Sequence, residues 1–229
     1  MQIVWFATLA SLPPGDVSSV LSAVDWPALP GLVRGLAHTP IPADDPFLVR
    51  ETPPALVLQL YFDEVGALES ALRPSGALAG LRNLVPAGSL AQQAMVVRRF
   101  DVPAPARAHR DTVCTYLVGY EGPAEDLDAW LAHYLDTHAV QLTRLPEVRE
   151  VEVYTRLDGC GGDWPRHTHM QRNKVVFDSA AALTAALNSP IRAAMREDFL
   201  RFPPFTGPVS HHAMVTRILT RHGDDGGIG

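Results

Sequence analysis

The second half of the chain alternates between short apolar runs and longer segments with helical spacing. The run "TVCTYLVGY" is β-branched and aromatic and predicts a strand, and "GPAEDLD" after it supplies Pro123 and acidic residues for the first turn of a helix. That helix should end before Pro146, because the residue that precedes a proline avoids the α region. The elements predicted in this half are a strand at 112–120, a helix ending near Leu142, strands at 148–158 and 171–177, a helix at 179–202 with a break at Pro190, and a strand at 210–219.

The same pattern occurs twice along the chain. "YFDEVGALESAL" at 61–72 aligns without gaps with "VFDSAAALTAAL" at 176–187, and further matches follow in the same order. A repeat of about 110 residues indicates a duplicated domain, since solenoid repeats are about 20–50 residues long. We therefore predict an N-terminal half at 1–102 and a C-terminal half at 112–220, joined by the Pro/Ala-rich segment 101–111.

The element order in each half, βαββαβ, is that of a ferredoxin-like unit, an antiparallel four-stranded sheet with two helices on one face. The open face of such a sheet must be covered, and two copies can cover each other. We therefore predict an α+β fold in which tandem duplicated ferredoxin-like (βαββαβ) units form a dimeric α+β barrel type of architecture around an apolar lumen. The sequence leaves open whether this barrel closes within one chain or between two chains, and we expect a homodimer.

His138 lies on the apolar side of the helix predicted for "LDAWLAHYLDTH". At 100° per residue it falls about 40° from Tyr134, on the arc that also carries Leu127 and Leu131. A buried imidazole without hydrogen-bond partners costs about 1–3 kcal/mol. His138 is therefore either a core residue whose ring bonds to a backbone carbonyl or a functional group that faces a cavity.

The composition argues against several classes of function. A net charge of −6, a pI near 5.8 and the absence of a basic block argue against nucleic-acid binding. No Lys or Arg precedes Arg34 and the N-terminal apolar run is short, so we predict neither a secretory signal nor a membrane span and expect a cytoplasmic protein. Lys174 is the only lysine, which argues against Schiff-base chemistry. Glu150 and Glu152 alternate on a predicted strand, and we expect them to face solvent or an interface unless they point into the lumen.

The stretch "YLVGYEGPAEDLDAWLAHYLDTHAVQLTRLPEVREVEVYTRL", together with "VVFDSAAALTAALNSP" and "FPPFTGPVSHHAM", resembles the EthD family, named for ethyl tert-butyl ether degradation, within the dimeric α+β barrel superfamily. The resemblance covers about residues 112–220 and is faint in the first half. It implies that Trp130, Tyr134 and His138 on the first helix act together with the "FPPF" turn and the final histidine-containing strand. Relatives in the superfamily include cofactor-free lactone isomerases, cofactor-free monooxygenases and haem enzymes.

The candidate catalytic residues are histidines and a tyrosine. An apolar lumen suits a small hydrophobic organic substrate, and a histidine that titrates near neutrality can remove and return a proton at an activated C–H bond. We predict His138 as the general base or acid, and Tyr134 as a group that orients it or donates to a developing oxyanion. His211 or His212 would be the second proton-transfer or anchoring group, and strand alternation allows only one of them to enter the lumen. The candidate substrate-binding residues are Trp130, Tyr116, Tyr154 and Trp164, the last as part of a lid.

We predict no bound metal and no cofactor. The loop at 157–171 contains Cys160, Asp163, His167 and His169, but this spacing matches no closed zinc site, and its glycines indicate a flexible loop. Haem remains an alternative, with a lumen histidine as its axial ligand.

Two functions from different classes follow from these residues. The first is a small-molecule enzyme that uses histidine acid/base chemistry, as an isomerase, a lyase or a cofactor-free oxidoreductase. The second is a non-catalytic binding protein with a hydrophobic pocket. Histidines of the helix and the last strand that face one cavity within about 10 Å favour the enzyme, whereas histidines that face solvent favour the binding protein.

Overall fold

The computed structural model describes residues 1–12, 16–43, 45, 52–85, 88–104, 112–160 and 162–221. Within these residues the chain forms eight strands, β1 (Ile3–Leu9), β2 (Leu32–Pro40), β3 (Leu56–Phe62), β4 (Leu90–Phe100), β5 (Thr112–Tyr120), β6 (Val148–Arg156), β7 (Gln171–Phe177) and β8 (Val209–Arg221). The α-helices of this part of the chain are α1 (Val17–Leu21), α2 (Val65–Leu72), α3 (Ala79–Leu84), α4 (Leu127–His133), α5 (Ala139–Leu142), α6 (Ala180–Leu187) and α7 (Pro190–Phe199). A π-helical turn, Tyr134–His138, joins α4 to α5, so that residues 127–142 form one continuous helix. None of these helices is both long enough and apolar enough to cross a membrane.

The eight strands close into one antiparallel barrel in the order β1-β3-β2-β8-β5-β7-β6-β4. The two halves of the chain meet at two seams, where β2 pairs with β8 and β4 pairs with β6. Each strand therefore has a hydrogen-bonded neighbour on both sides, and the ring closes within a single chain.

The predicted fold class, tandem ferredoxin-like α+β units, is wrong. Instead of two separate sheets that face each other across a hollow, the strands of both halves share one continuous hydrogen-bonded ring with a few short helices. Joining the halves edge to edge satisfies backbone N–H and C=O groups that separate sheets would leave unpaired. The alternation of side chains does not reveal this arrangement, because it is the same for a strand at an edge and a strand inside a ring.

Individual elements follow their local sequence signals. The strands predicted at 112–120 and 171–177 are confirmed with these bounds. The first helix of the second half begins at Leu127 rather than at Pro123, because Asp126 caps it by accepting a hydrogen bond from the amide of Ala129 at 2.9 Å.

Alternation along each strand sends one set of side chains into the barrel and the other set beneath the helices. On β7, Lys174 reaches Tyr61 across the barrel interior, whereas Asn173 reaches Tyr134 of the π-helical turn on the other face. The barrel interior is packed with side chains that include Val4, Phe6, Leu36, Val57, Met95, Leu117 and Met214. Two further apolar cores lie outside the barrel, each between the strands and the helices of one half.

Candidate functional site

A cavity of about 110 Å³ lies outside the barrel, between β5, β7 and β8 and the helices of the second half. Most of its wall is apolar, and its polar groups include Tyr116, His138, Asn173, Arg192 and His211. The predicted apolar lumen inside the barrel does not correspond to this cavity: apolar side chains pack inside the barrel, and the cavity lies on the opposite face of the sheet.

His138 and Asp198 form a buried pair at this cavity. The Nδ1 atom of His138 lies 2.9 Å from Oδ2 of Asp198, and the two residues are only 5% and 4% exposed. Burial lowers the pKa of His138 to about 4, although Asp198 raises it, so the ring is neutral at neutral pH. Since a carboxylate can only accept a hydrogen bond, the neutral ring carries its proton on Nδ1 and its electron pair on Nε2. Among the residues that the structure describes, none bonds to Nε2.

The π-helical turn directs three side chains of one helix to this carboxylate. Besides His138, the Nε2 atom of His133 lies 3.2 Å from Oδ1 of Asp198, and the hydroxyl of Thr137 donates to Oδ2 at 3.3 Å. In a π-helical turn residues i and i+5 lie one above the other, and His133 and His138 have this spacing. The turn therefore explains how both imidazoles reach one carboxylate. A regular α-helix would place the two imidazoles on different faces.

Tyr134 and Trp130 lie behind the cavity wall. Trp130 stacks on Tyr134 at 5.2 Å between ring centroids, and Phe202 and Phe205 of the "FPPF" turn pack on Trp130 at 5.4 and 5.8 Å. The Tyr134 hydroxyl accepts a hydrogen bond from Nδ2 of Asn173, and burial raises the pKa of Tyr134. Its ring centroid is 5.1 Å from that of His138. The structure thus brings the aromatic and histidine residues of the helix together with the turn, but only the histidine is among the cavity-lining residues described.

The two adjacent histidines of β8 point to opposite faces of the sheet. His211 lines the cavity with His138, and its Nδ1 atom is buried without a hydrogen-bond partner among the described residues. Burial, followed by the positive charge of Arg192, lowers the pKa of His211 to about 3. His212 points into the barrel instead, on the side of Met214. Of the two histidines between which the sequence could not choose, His211 is therefore the one that faces this cavity.

Arg192 contributes a cation to the cavity wall. Its Nε and Nη2 atoms donate to Oδ2 of Asp45 at 3.1 and 2.8 Å, and the hydroxyl of Tyr116 donates to the same oxygen at 3.0 Å. Tyr116 is among the residues that line the cavity, and its hydrogen bond to Asp45 holds it there; its role in substrate binding stays a prediction.

The remaining predicted binding residues lie away from this cavity. Tyr154 is inside the barrel, where its hydroxyl donates to Oε2 of Glu152 at 2.6 Å. Trp164 packs against Trp5 in the core of the first half, with ring centroids 5.8 Å apart. Neither residue is among those that line the cavity in the described part of the chain.

The only lysine is at the centre of a polar network inside the barrel. The Nζ atom of Lys174 lies 2.8 Å from Oε1 of Glu150, 2.9 Å from Oε2 of Glu152 and 2.8 Å from the hydroxyl of Tyr61. Burial alone would raise the pKa of Glu150, but the cations of Lys174 and Arg34 hold it well below its usual value. Both glutamates therefore point into the barrel, which was the alternative to a position facing solvent or an interface, and they neutralise a fully buried ammonium group there.

The predicted metal-ligand candidates do not meet at one point. Over the described residues, no three His, Cys, Asp or Glu side chains are placed to hold one metal ion. Cys160 packs in the core of the first half, whereas the rings of His167 and His169 lie 5.0 Å apart.

Asp198 was not predicted from the sequence. It belongs to a stripe of α7 in which Arg192, Met195 and Asp198, three residues apart, are all buried. Two charged residues on the buried stripe of an amphipathic helix are a signal that could have revealed it, because such residues are rarely buried without partners.

No protein-family model and no curated protein matches this chain. Solved structures that resemble it share its fold over nearly the whole length. A candidate monooxygenase from Lactobacillus acidophilus NCFM is 12% identical with a TM-score of 0.57, over 96% of this chain and 94% of that one. A candidate monooxygenase from Fusobacterium nucleatum is 9% identical with a TM-score of 0.61, over 96% of this chain and 93% of that one. An anthrone oxidase-like protein is 14% identical with a TM-score of 0.61, over 95% of this chain and 93% of that one. At such identities the likeness establishes the fold alone.

An EthD family protein from Bacillus halodurans C-125 is 24% identical, covers 43% of this chain and 96% of its own, and has a TM-score of 0.35. This likeness is too weak to establish the family, and the resemblance to EthD proteins stays a prediction.

Proposed function

We propose that this chain is a small-molecule enzyme in which His138 removes a proton from an activated C–H bond of a small apolar substrate. The observation that carries this proposal is the buried hydrogen bond between His138 and Asp198, with the imidazole on the wall of the cavity. A neutral imidazole whose Nδ1 is held by a carboxylate presents an unprotonated Nε2, which is the state that a general base requires.

The charges that develop during proton transfer have partners in the site. Proton uptake converts the ring of His138 to an imidazolium, which the carboxylate of Asp198 stabilises at 2.9 Å. The electron pair left on carbon must spread onto a neighbouring carbonyl or aromatic ring, so the substrate must carry one. His211 is neutral and lines the same cavity, and an N–H of its ring can donate to the oxyanion that forms.

The descriptions of similar structures support an oxidative outcome. They are candidate monooxygenases and an anthrone oxidase-like protein. The carbanion that forms on the substrate when His138 removes the proton can transfer electrons to molecular oxygen. The overall reaction then balances with oxygen as the oxidant, because a methylene group and one molecule of oxygen give a carbonyl group and one molecule of water. Return of the proton to a different carbon would give an isomerisation instead.

The size of the cavity limits the substrate. Its volume is about 110 Å³, and an engineered cavity of about 150 Å³ binds benzene in another protein. The part of the substrate that is enclosed therefore has about one ring, and a larger molecule would extend past the cavity.

Hydrogen–deuterium exchange tests the proposal before the natural substrate is known. The protein is incubated in heavy water without oxygen with phenylacetone, cyclohexanone or anthrone as probes, and NMR follows the loss of the activated C–H signal. We expect exchange of at least one probe, its loss in His138→Gln and its retention in His133→Gln. His133 is the matched control, because it contacts the same carboxylate but is not among the described residues that line the cavity.

The other outcomes are distinct. Probe binding that raises the melting temperature without any exchange would identify a binding protein rather than an enzyme. Exchange that continues unchanged in His138→Gln would exclude this histidine as the base. Oxygen uptake after air is readmitted separates oxygenation from isomerisation.

A further inference from the structure

Two buried cations point into the barrel from β7, and within the described part of the chain only one of them has anionic partners. Lys174 is 0% exposed and contacts two carboxylates. Arg172 is 4% exposed, and its Nε and Nη1 atoms are buried without a hydrogen-bond partner in the described part of the chain. No described carboxylate forms an ion pair with this guanidinium, whereas buried charges in proteins are normally paired.

Arg172 is surrounded by aromatic and imidazole rings rather than by acids. Its guanidinium lies over the ring of Phe6, 4.3 Å from the centroid. Gly119 is the paired residue on β5, and a Cβ atom there would lie 2.6 Å from the ring of His169. The glycine therefore makes room for His169 beside Arg172, and His212 of β8 points into the same end of the barrel.

The local charge is positive and has no carboxylate paired with it among the described residues. Burial lowers the pKa of Arg172 only to about 10, so the guanidinium remains protonated at neutral pH. Burial and the charge of Arg172 lower the pKa values of His167, His169 and His212, so these rings are neutral. Neutral imidazoles can donate an N–H to an anion without adding charge.

Unpartnered polar atoms other than those of the guanidinium occur at the same end of the barrel. They are Nδ1 of His169, Nε2 of His167, Oε1 of Gln93 and Oγ1 of Thr8, all buried and without partners among the described residues. Gln93 also donates from Nε2 to the carbonyl oxygen of His169 at 2.7 Å, which fixes the segment that carries this ring. Buried polar atoms usually have partners, so a group of them around one cation indicates a ligand.

We propose that Arg172, with His169 and His212, binds a small anion at this end of the barrel interior. A guanidinium presents parallel N–H groups that match two oxygens of a carboxylate or a small inorganic oxyanion. The ligand must be small, because Phe6 and Leu117 pack inside the same barrel. This site does not rest on the proposed function, since β7 separates it from the cavity that Asn173 and His138 line.

The melting temperature tests this site without any assay of activity. Sodium nitrate or sodium formate is titrated at constant ionic strength, which is maintained with sodium gluconate because that anion is too large for the site. We expect a saturable rise of about 5–10 °C at one hundred times the Kd for the unaltered protein, and no saturable rise for Arg172→Met. Lys174→Met is the matched control, since it removes a cation from the same face of the same strand; its melting temperature should start lower but should still rise with the anion.

The two anions distinguish the sources of the ligand. A rise with formate alone supports the carboxylate of an organic acid, and an equal rise with both supports small anions in general. A flat titration of the unaltered protein, or an equal rise in Arg172→Met, would overturn the proposal. So would a strong loss of stability of Arg172→Met in gluconate, because the guanidinium would then be needed by the fold itself.

Anomalous diffraction provides a measurement that needs no variant. Crystals grown without halide are soaked in sodium bromide, and we expect the highest bromide peak in the barrel interior beside the guanidinium of Arg172. Bromide peaks at surface sites only would contradict the proposal.

Discussion

The ring of His138 and the carboxylate of Asp198, which are 60 residues apart in the chain, meet at 2.9 Å in a buried hydrogen bond. Because burial keeps the imidazole neutral, this bond fixes the tautomer and the orientation of the ring rather than holding a permanent imidazolium. A base that is already oriented loses less entropy when a substrate arrives.

Replacement of Asp198 by asparagine should therefore lower the rate of C–H exchange by about 10²- to 10⁴-fold. The amide can donate to Nδ1 and stabilise the wrong tautomer, and without the carboxylate the pKa of His138 should fall below about 4. The rate is measured with whichever probe the unaltered protein exchanges. Asp136→Asn, an exposed position on the same helix, is the control and should change the rate less than twofold. Equal rates in the two variants would show that Asp198 has no part in the reaction.

Stability should fall in mild acid because of the buried histidines. Burial lowers the pKa of His38 to about 3, whereas an exposed histidine in the unfolded chain titrates near about 6.5. Between these two pKa values the unfolded chain therefore binds a proton at His38 more tightly than the folded chain does. The contribution of His38 is complete above pH 6.5 and is lost at about 1.4 kcal/mol per pH unit as the pH falls toward about 3.

Urea unfolding at pH 7, 6 and 5 measures this effect. His38→Gln should have a shallower dependence of the free energy of unfolding on pH than the unaltered protein, by about the slope of one histidine. Parallel curves for the two proteins would mean that His38 can be protonated within the fold.

Lys174→Met should lower the free energy of unfolding by about 3–5 kcal/mol, because the buried carboxylate of Glu152 loses its buried cation and keeps only Arg99, whose side chain is largely exposed. The double variant Lys174→Met/Glu152→Gln should recover at least half of this loss, since it removes both charges. Urea denaturation of the two single variants and the double variant provides the comparison. Losses that simply add would contradict a direct interaction between these two side chains.

Trp130→Ala should lower the free energy of unfolding by about 3–5 kcal/mol, whereas Trp130→Phe should lower it by less than about 1.5 kcal/mol. The ring stacks on Tyr134, and its Nε1 atom has no hydrogen-bond partner among the described residues, so its contribution is packing. Thermal or urea unfolding of both variants measures the difference. An equal loss in the two variants would reveal a role for the indole nitrogen.

Features set by local chemistry were predictable from the sequence. The strands of the second half and the burial of His138 follow from alternation and helical spacing, which are properties of a few neighbouring residues. The π-helical turn was not predictable in this way, because its spacing differs from the 3.6-residue period on which the helical wheel rests.

Features set by distant residues were not predictable. The pairing of His138 with Asp198 depends on how α7 packs against the continuous helix at 127–142. The spacing of residues within one helix does not contain that information. Glu152 alternates like a surface residue of a two-faced sheet, and its burial follows only from the closure of the barrel. The position of the cavity also depends on closure, since apolar side chains pack inside the ring and the cavity lies beneath the helices.

The two seams of the barrel, β2 with β8 and β4 with β6, make each half depend on the other for its backbone hydrogen bonds. A half that folded by itself would expose two unpaired strand edges, and each edge could form hydrogen bonds with a strand of another molecule. Loss of either seam opens the whole ring, so the two halves should melt in one cooperative transition. A chain cleaved between them should reassemble from fragments, including fragments that began in different copies.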